Sequence, residues 1–273
     1  MTGAPRDRWV VAPRGHRLHL LEWGPEGAPA ALFLHGAGQH AGAWEPVAQR
    51  LAASGRRAIA LDARGHGASD HVPPYDEAGY ASDVGVTIEA IGAPVALVGH
   101  STGSLVAMRV AAERASLVRA AVFIDIDPQP PERQRARLQE AGMKPARRFA
   151  SLDDLLAGVA RILPGVDEAT ARRFAERAYE RAEDGTFVQR LDQRTLAEWP
   201  QFDQRPLLPR IPCPALVVRG RESVVASEEA TAEAVRLLPR GESAILPGAH
   251  LLHMQHPDVC AEALEAFLAR AGA

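Results

Sequence analysis

The chain has 273 residues, 47% of them hydrophobic and 24% charged, and a formal net charge of −3 at pH 7. That balance suits one α/β domain with an insertion, or two domains at most, and lacks the basic excess expected of a nucleic-acid or anionic-membrane partner. Two cysteines, Cys213 and Cys260, are too few for a disulfide framework and lack zinc-site spacing. No run approaches the ~18 apolar residues of a membrane-spanning helix, and "MTGAPRDRWV" has no apolar signal-peptide core, so a cytoplasmic location is expected.

In chain order, "RWVVAP" and "RLHLLEW" read as a β-hairpin joined through "RGH". "AALFLH" (30–35) is a continuous apolar run that ends in a glycine-rich turn, as a buried parallel strand does. "AWEPVAQRLAASG" reads as a helix stopped by Gly55. "RAIALD" (57–62) and "PVALVGH" (94–100) are further buried strands, with helical "YASDVGVTIEAIG" between them. "SLVAMRVAAERA" (104–115) is a helix, and "VRAAVFID" (118–125), "PALVVRG" (214–220) and "ESAILPG" (242–248) are strands. The last helix starts near Pro257, with Val259, Ala263, Phe267 and Leu268 as its apolar stripe. Strands alternating with helices predict helices packed on a mostly parallel sheet.

Residues 128–206 break the alternation. "PQPP" and "RPLLPRIPCP" bound helix-patterned runs such as "SLDDLLAGVARIL" and "DEATARRFAERAYERA", which predicts a helical insertion over the sheet. The basic stretch "PERQRARLQEAGMKPARR" reads as a solvated helix face.

The chemistry centres on "ALVGHSTGSL" (96–105). A strand that runs directly into a helix turns sharply, and side chains two places either side of the apex collide, so those places call for glycine. Gly99 and Gly103 stand there, and Ser101 at the apex is lifted to a helix N-terminus that favours developing negative charge. "FLHGAG" (33–38) lets the backbone N–H of Ala37 approach, and with the N–H of Thr102 it would form an oxyanion hole. "LDARGHGASD" (61–70) reads as a structural turn in which Arg64 and His66 hold loops in place. His250, in "LPGAHLLHMQHPD" (246–258), follows the last strand and reaches the same sheet edge as Ser101. His250, His253 and His256 are spaced by three, but no carboxylate or cysteine joins them at ligand spacing, so neither metal nor cofactor is expected. His100 is expected to pack or line the pocket, and Phe149, Trp199 and Phe202 are candidate apolar lining.

The "HGAG", "DARGHGAS", "GHSTG" and "GAHLLHMQHP" segments, in this order and spacing, resemble the α/β-hydrolase superfamily over nearly the whole chain, in particular its cap-bearing serine hydrolases. The resemblance implies an eight-stranded, mostly parallel sheet, with a core of 1–127 and 207–273 and a cap of 128–206. It implies Ser101 as nucleophile and His250 as base, and a serine there speaks against the dehalogenase and epoxide hydrolase chemistries, which use aspartate. The family usually carries its acid after the strand read as "PALVVRG", but "GRESVVAS" puts Ser223 or Val224 there. Some members place it one strand earlier, where "AVFIDIDP" puts Asp125; Asp125 is therefore the expected acid and Glu222 the alternative.

The function expected is hydrolysis of a small carboxylic ester, thioester or lactone through an acyl-enzyme, with a small-molecule acyl substrate as the only partner implied. A C–C bond hydrolase using the same residues, and a hydrolase-fold receptor with weak activity, are the alternatives. A dinucleotide-binding reading of Gly36, Gly38 and Ala41 with Asp62 leaves "GHSTG" and His250 without a role.

Overall fold

The computed structural model describes residues 3–92, 94–200 and 202–273. Met1, Thr2, Ala93 and Gln201 lie outside the described residues, as does that much of the expectations about the N-terminus and the 128–206 segment. In chain order the elements are β1 (Arg6–Val11), β2 (Arg17–Trp23), β3 (Ala30–Leu34), α1 (Glu45–Ala53), β4 (Arg57–Leu61), α2 (Glu77–Ile91), β5 (Val95–His100), α3 (Thr102–Glu113) and β6 (Val118–Ile124). There follow α4 (Glu132–Gly142), β7 (Arg148–Phe149), α5 (Leu152–Ile162), α6 (Glu168–Ala178), β8 (Tyr179–Arg181), β9 (Phe187–Gln189) and α7 (Arg194–Ala197). The chain then adds β10 (Ala215–Gly220), α8 (Glu228–Leu237), β11 (Gly241–Leu246), α9 (Leu252–Gln255) and α10 (Pro257–Ala271).

Eight strands form one sheet in the order β1-β2-β4-β3-β5-β6-β10-β11. Only β2 runs against its neighbours; β4, β3, β5, β6, β10 and β11 are parallel. The parallel strands are covered on both faces, which is why they read as unbroken apolar runs. Leu32, Leu34 and Leu97 point to the layer filled by Val84 and Ile88 of α2 and Leu105 of α3. Phe33 and Val98 point to the opposite layer, with Val47 and Leu51 of α1 and Leu264 and Phe267 of α10. Helix α10 buries Cys260, Ala261, Leu264, Phe267 and Leu268, whereas Val259 is exposed, so the expected stripe has the right period but a shifted phase. No helix among the described residues is long and apolar enough to cross a membrane.

The segment between β6 and β10 holds α4 to α7 and a small antiparallel sheet, β7-β9-β8. The helical expectation fails at 179–189: Tyr179 to Arg181 pair with Phe187 to Gln189 across a turn at Gly185, whose φ is +82°. Leu155, Val159, Phe174, Ala175 and Tyr179 give the segment its own apolar cluster, which Ala43 and Met254 join to the main body. Two backbone bonds, Gly67 N–H to Arg190 O (2.9 Å) and Asp192 N–H to Gly65 O (2.8 Å), fasten it to the 61–70 turn. Helix α4 buries only Gly142, in keeping with a solvated basic face.

Candidate active site

The C-terminal ends of β3, β5, β6, β10 and β11 open on one edge of the sheet, where a strand-order reversal leaves a crevice. Ser101 follows β5 with φ +51° and ψ −121°, a conformation that non-glycine residues rarely hold. A Cβ on Gly99 would overlap the backbone of Gly103 and Ser104, and one on Gly103 would overlap the backbone of Leu34 and His35, so both glycines are required by close approach. The turn is fastened from beneath. Ser101 N–H donates to Ile124 O (2.8 Å), while Ser104 Oγ donates to Gly99 O (2.8 Å) and accepts from Ile124 N–H (3.0 Å).

Asp125, directly after β6, also has a positive φ, +52°; among the described residues, it and Ser101 are the non-glycine residues that do. Strain of this kind costs of order 1 kcal/mol or more and persists only where surrounding contacts impose it. Here Asp125 N–H donates to Val218 O (2.8 Å), and the fully buried carboxylate accepts from Gly220 N–H (3.0 Å), Ser223 Oγ (2.6 Å) and His250 Nδ1 (2.7 Å). An ionised carboxylate only accepts, so the His250 proton sits on Nδ1 and its Nε2 is bare. The His250 side chain is 31% exposed, and its Nε2 makes no hydrogen bond among the described residues. Ser101 and His250 line one cavity of about 280 Å³, together with Gln39, Gln134, Leu163 and Phe174.

The amides of Ala37 and Thr102 have no acceptor among the described residues; Ala37 lines this cavity, and Thr102, the residue after Ser101, lines the adjoining apolar chamber. The turn carrying Ala37 is set by His35, whose Nδ1 donates to Gly36 O (2.8 Å) and whose Nε2 accepts from Ala63 N–H (3.0 Å). Gln39 Oε1 takes the Gly36 N–H (3.0 Å). Arg64 chelates Asp83 (2.6 and 2.7 Å) and reaches Pro74 O and Gly79 O, while His66 Nδ1 lies on Arg64 O, as expected of loop-holding residues.

His100 is fully buried, and its Nε2 donates to the carbonyl of His250 (2.7 Å), fixing the loop that carries His250 from below. Burial above all, then neighbouring His253 and His250, pushes the His100 pKa well below its ordinary value. Burial also pushes His253 down to about 3, its ring lying against both His100 and Trp44. These imidazoles are neutral and put no cation beside His250.

The other expected residues divide. Trp199 and Phe202 line a narrow apolar chamber of about 50 Å³ that shares Gly36 and Ala37 with the serine cavity. Phe149 is not brought to either space; it packs edge-on against Tyr179 and over Gly158 within the 128–206 segment. Glu222 does not meet His250: its Oε2 accepts from Gly248 N–H (2.6 Å), because the one-residue step along the turn sends it outward. Ser223, Ser104 and the Gly220 amide were not singled out as part of the site, and a lone serine in a turn carries no sequence signal of such a contact.

Residues 31–263 match the model of the alpha/beta hydrolase family. The chain is 28% identical to the esterase Rv0045c of Mycobacterium tuberculosis, over 92% of this chain and 86% of that protein. It is 27% identical to the mouse sn-1-specific diacylglycerol lipase ABHD11, over 88% and 81%. Among solved structures, E-2-(acetamidomethylene)succinate hydrolase superposes with a TM-score of 0.88 at 28% identity, covering 97% of this chain and 99% of that one. The sheet, its crossing order and these matches agree, and the chain belongs to the alpha/beta hydrolase family.

Proposed function

We propose that this chain is a serine hydrolase that cleaves a small carboxylic ester, thioester or lactone through a Ser101–His250–Asp125 triad and an acyl-enzyme. The observation that carries the reading is the 2.7 Å bond from His250 Nδ1 to a buried Asp125, which leaves Nε2 bare in the cavity that Ser101 lines. Esterase and lipase relatives support the reaction class. Ser101 Oγ attacks the substrate carbonyl and its proton passes to His250 Nε2. The oxyanion meets the acceptor-free amides of Ala37 and Thr102, at the positive end of α3. The leaving group takes the proton from His250, and a water then releases the acid, handing its own proton to the same nitrogen. Asp125 holds the tautomer and offsets the imidazolium without itself taking the proton. Residues 128–206 act as a cap, since Gln134, Leu138, Ile162 and Phe174 from that segment wall the cavity.

The test is labelling by a fluorophosphonate. One adduct, on Ser101, is expected by intact mass and peptide mapping. Ser101→Ala is expected to lose on the order of 10⁶ in kcat on an acyl-ester panel, the scale seen when a subtilisin nucleophile is removed. Activity surviving within tenfold, or an unlabelled protein, would refute the reading; the second result is what a receptor without a working nucleophile gives.

A further inference from the structure

We propose that Ser223 is a positioning residue for Asp125, and that its hydroxyl locks the carboxylate in the rotation His250 needs. The inference rests on the serine hydrolase reading above. Asp125 Oδ2 receives two donors, His250 Nδ1 at 2.7 Å and Ser223 Oγ at 2.6 Å, while Oδ1 receives one, Gly220 N–H at 3.0 Å. The terminal torsion of an aspartate is broad and holds no angle by itself, so the donors around it set the plane of the carboxylate. Of the three, His250 belongs to the group being oriented, and the Gly220 amide grips only the far oxygen. Among the described residues, Ser223 is the one side chain besides His250 itself that holds the oxygen facing the imidazole.

The direction of the hydroxyl is determined by its surroundings. Ser223 Oγ accepts the N–H of Val225 (3.1 Å), and an ionised carboxylate cannot donate, so the hydroxyl proton points to Asp125. The seat is rigid. Ser223 N–H closes a turn on Gly220 O (3.0 Å), and a Cβ on Gly220 would press on the carbonyls of Gly248 and Ala249, two residues and one residue before His250. Ser223 is 8% exposed and Asp125 fully buried, so a carboxylate oxygen deprived of this donor would have no bulk water to replace it. Rotation of the carboxylate to find another donor would carry the imidazole out of place.

A purely structural role for Ser223, as the bracket of the 220–226 turn, predicts lost stability and unchanged turnover. A double-mutant cycle with Asp125 separates the two, because a positioning effect must pass through that carboxylate. Ser223→Ala is expected to lower kcat about tenfold to a hundredfold, the scale of a hydrogen bond to a charged group, with KM within about twofold. Ser223→Thr, which keeps the hydroxyl, is expected to stay within about threefold of the parent, and Ser223→Cys, with its weak donor, to fall with Ala. In an Asp125→Asn background, Ser223→Ala is expected to cost less than about twofold further. Full kcat in Ser223→Ala, a change in KM alone, or undiminished cost in the Asp125→Asn background would overturn the proposal. Should Ser223→Ala not fold, the Thr and Cys pair decides it: equal activities sink the idea. Fluorophosphonate labelling of the parent at Ser101 is run alongside. With that label present, a failed cycle removes only Ser223's role; without it, the serine hydrolase reading itself has failed.

Discussion

Two histidine–aspartate pairs stand toward opposite edges of the same sheet, and they differ in what becomes of the second ring nitrogen. His250 gives Nδ1 to Asp125 at 2.7 Å and keeps Nε2 bare at a cavity. His19, on β2, has Nδ1 at 2.8 Å from Asp62 and Nε2 at 2.8 Å from Asp7. Carboxylates only accept, so both ring nitrogens of His19 are engaged, protonation of the ring is favoured, and no nitrogen is left to offer a substrate. Asp62 is likewise fully used, since Ala41 N–H (2.6 Å) and Ala68 N–H (2.9 Å) also donate to it. These contacts outweigh its burial and hold its pKa far below the usual carboxylate range. A short, buried His–Asp contact therefore does not by itself identify chemistry. In the proposed reading the reactive pair is the one whose second nitrogen is uncommitted and opens on the cavity that Ser101 lines, and the saturated pair is scaffold.

The most severe test of this contrast is to make the same substitution in both pairs. Asparagine at 125 still accepts from Gly220, but its amide NH₂ faces His250 and forces the proton to Nε2, the wrong tautomer. Asp125→Asn is expected to lose ~10²–10⁴ in kcat, the range set by the equivalent change in a serine protease, with little change in melting temperature. Asp62→Asn is expected to do the reverse. An amide cannot accept from Ala41, Ala68 and His19 together, so about 1–3 kcal/mol of stability should go, read as a lower melting temperature, while kcat stays near the parent. If Asp125→Asn melts early and turns over normally, the two pairs have been assigned the wrong way round.

Only one half of this contrast was legible in the sequence: Ser101, His250 and Asp125 were expected together, whereas nothing in the sequence singled out His19, Asp62 and Asp7 as a group. The parallel strands were readable because both faces are buried, and the "GHSTG" turn because its two glycines answer a steric demand that the structure bears out at Gly103 and Leu34. Asp125 was expected ahead of Glu222 because the family resemblance allows an acid one strand earlier and a one-residue step turns Glu222 aside, although φ +52° at Asp125 was not foreseeable. The strands at 179–189 were hidden because "RAYERA" continues a helical period. What ends the helix is the pairing of Phe187 with Arg181 and with Phe149, a contact 38 residues away in sequence. The stripe of α10 was misphased because packing against α1 selects Cys260, Ala261 and Leu264 rather than Val259, and that partner is 200 residues distant. Ser223 was noted only as standing where the family usually carries its acid; its bond to Asp125, which follows another strand, had no signal in the sequence.

A smaller effect sharpens the site's boundary. Glu222 lies next to Ser223, but its carboxylate is held by Gly248 N–H at 2.6 Å, on the loop that leads to His250. Glu222→Gln keeps a carbonyl to accept that bond and removes only a charge at an exposed position, so kcat is expected to fall less than about tenfold. A larger loss than that of Asp125→Asn would move the acid back after β10.

The smallest expected effect concerns pH and compares the neutral histidines of the site with the charged one of the scaffold. Burial lowers His35, His100, His40 (to about 4), His66 (to about 3) and His253 (to about 3). Their contribution is present above the unfolded value, near 6.5, and is lost as pH falls through these lowered values, because the unfolded chain binds protons that the folded one refuses. His19 has the opposite sign. Burial opposes its protonation, but the bonds and charges of Asp62 and Asp7 outweigh it and raise the pKa. Its contribution is therefore complete below about 6.5 and disappears as pH rises through the raised value. Asp7 is 66% exposed, so water screens half of the arrangement, and the contribution should stay below about 1 kcal/mol. In urea denaturation, His19→Gln is expected to be less stable than the parent at about pH 6, with the difference shrinking toward about pH 9. A difference independent of pH would mean that His19 is held as a neutral ring and that its two carboxylates do not charge it, which would remove the physical distinction between the saturated pair and the reactive one.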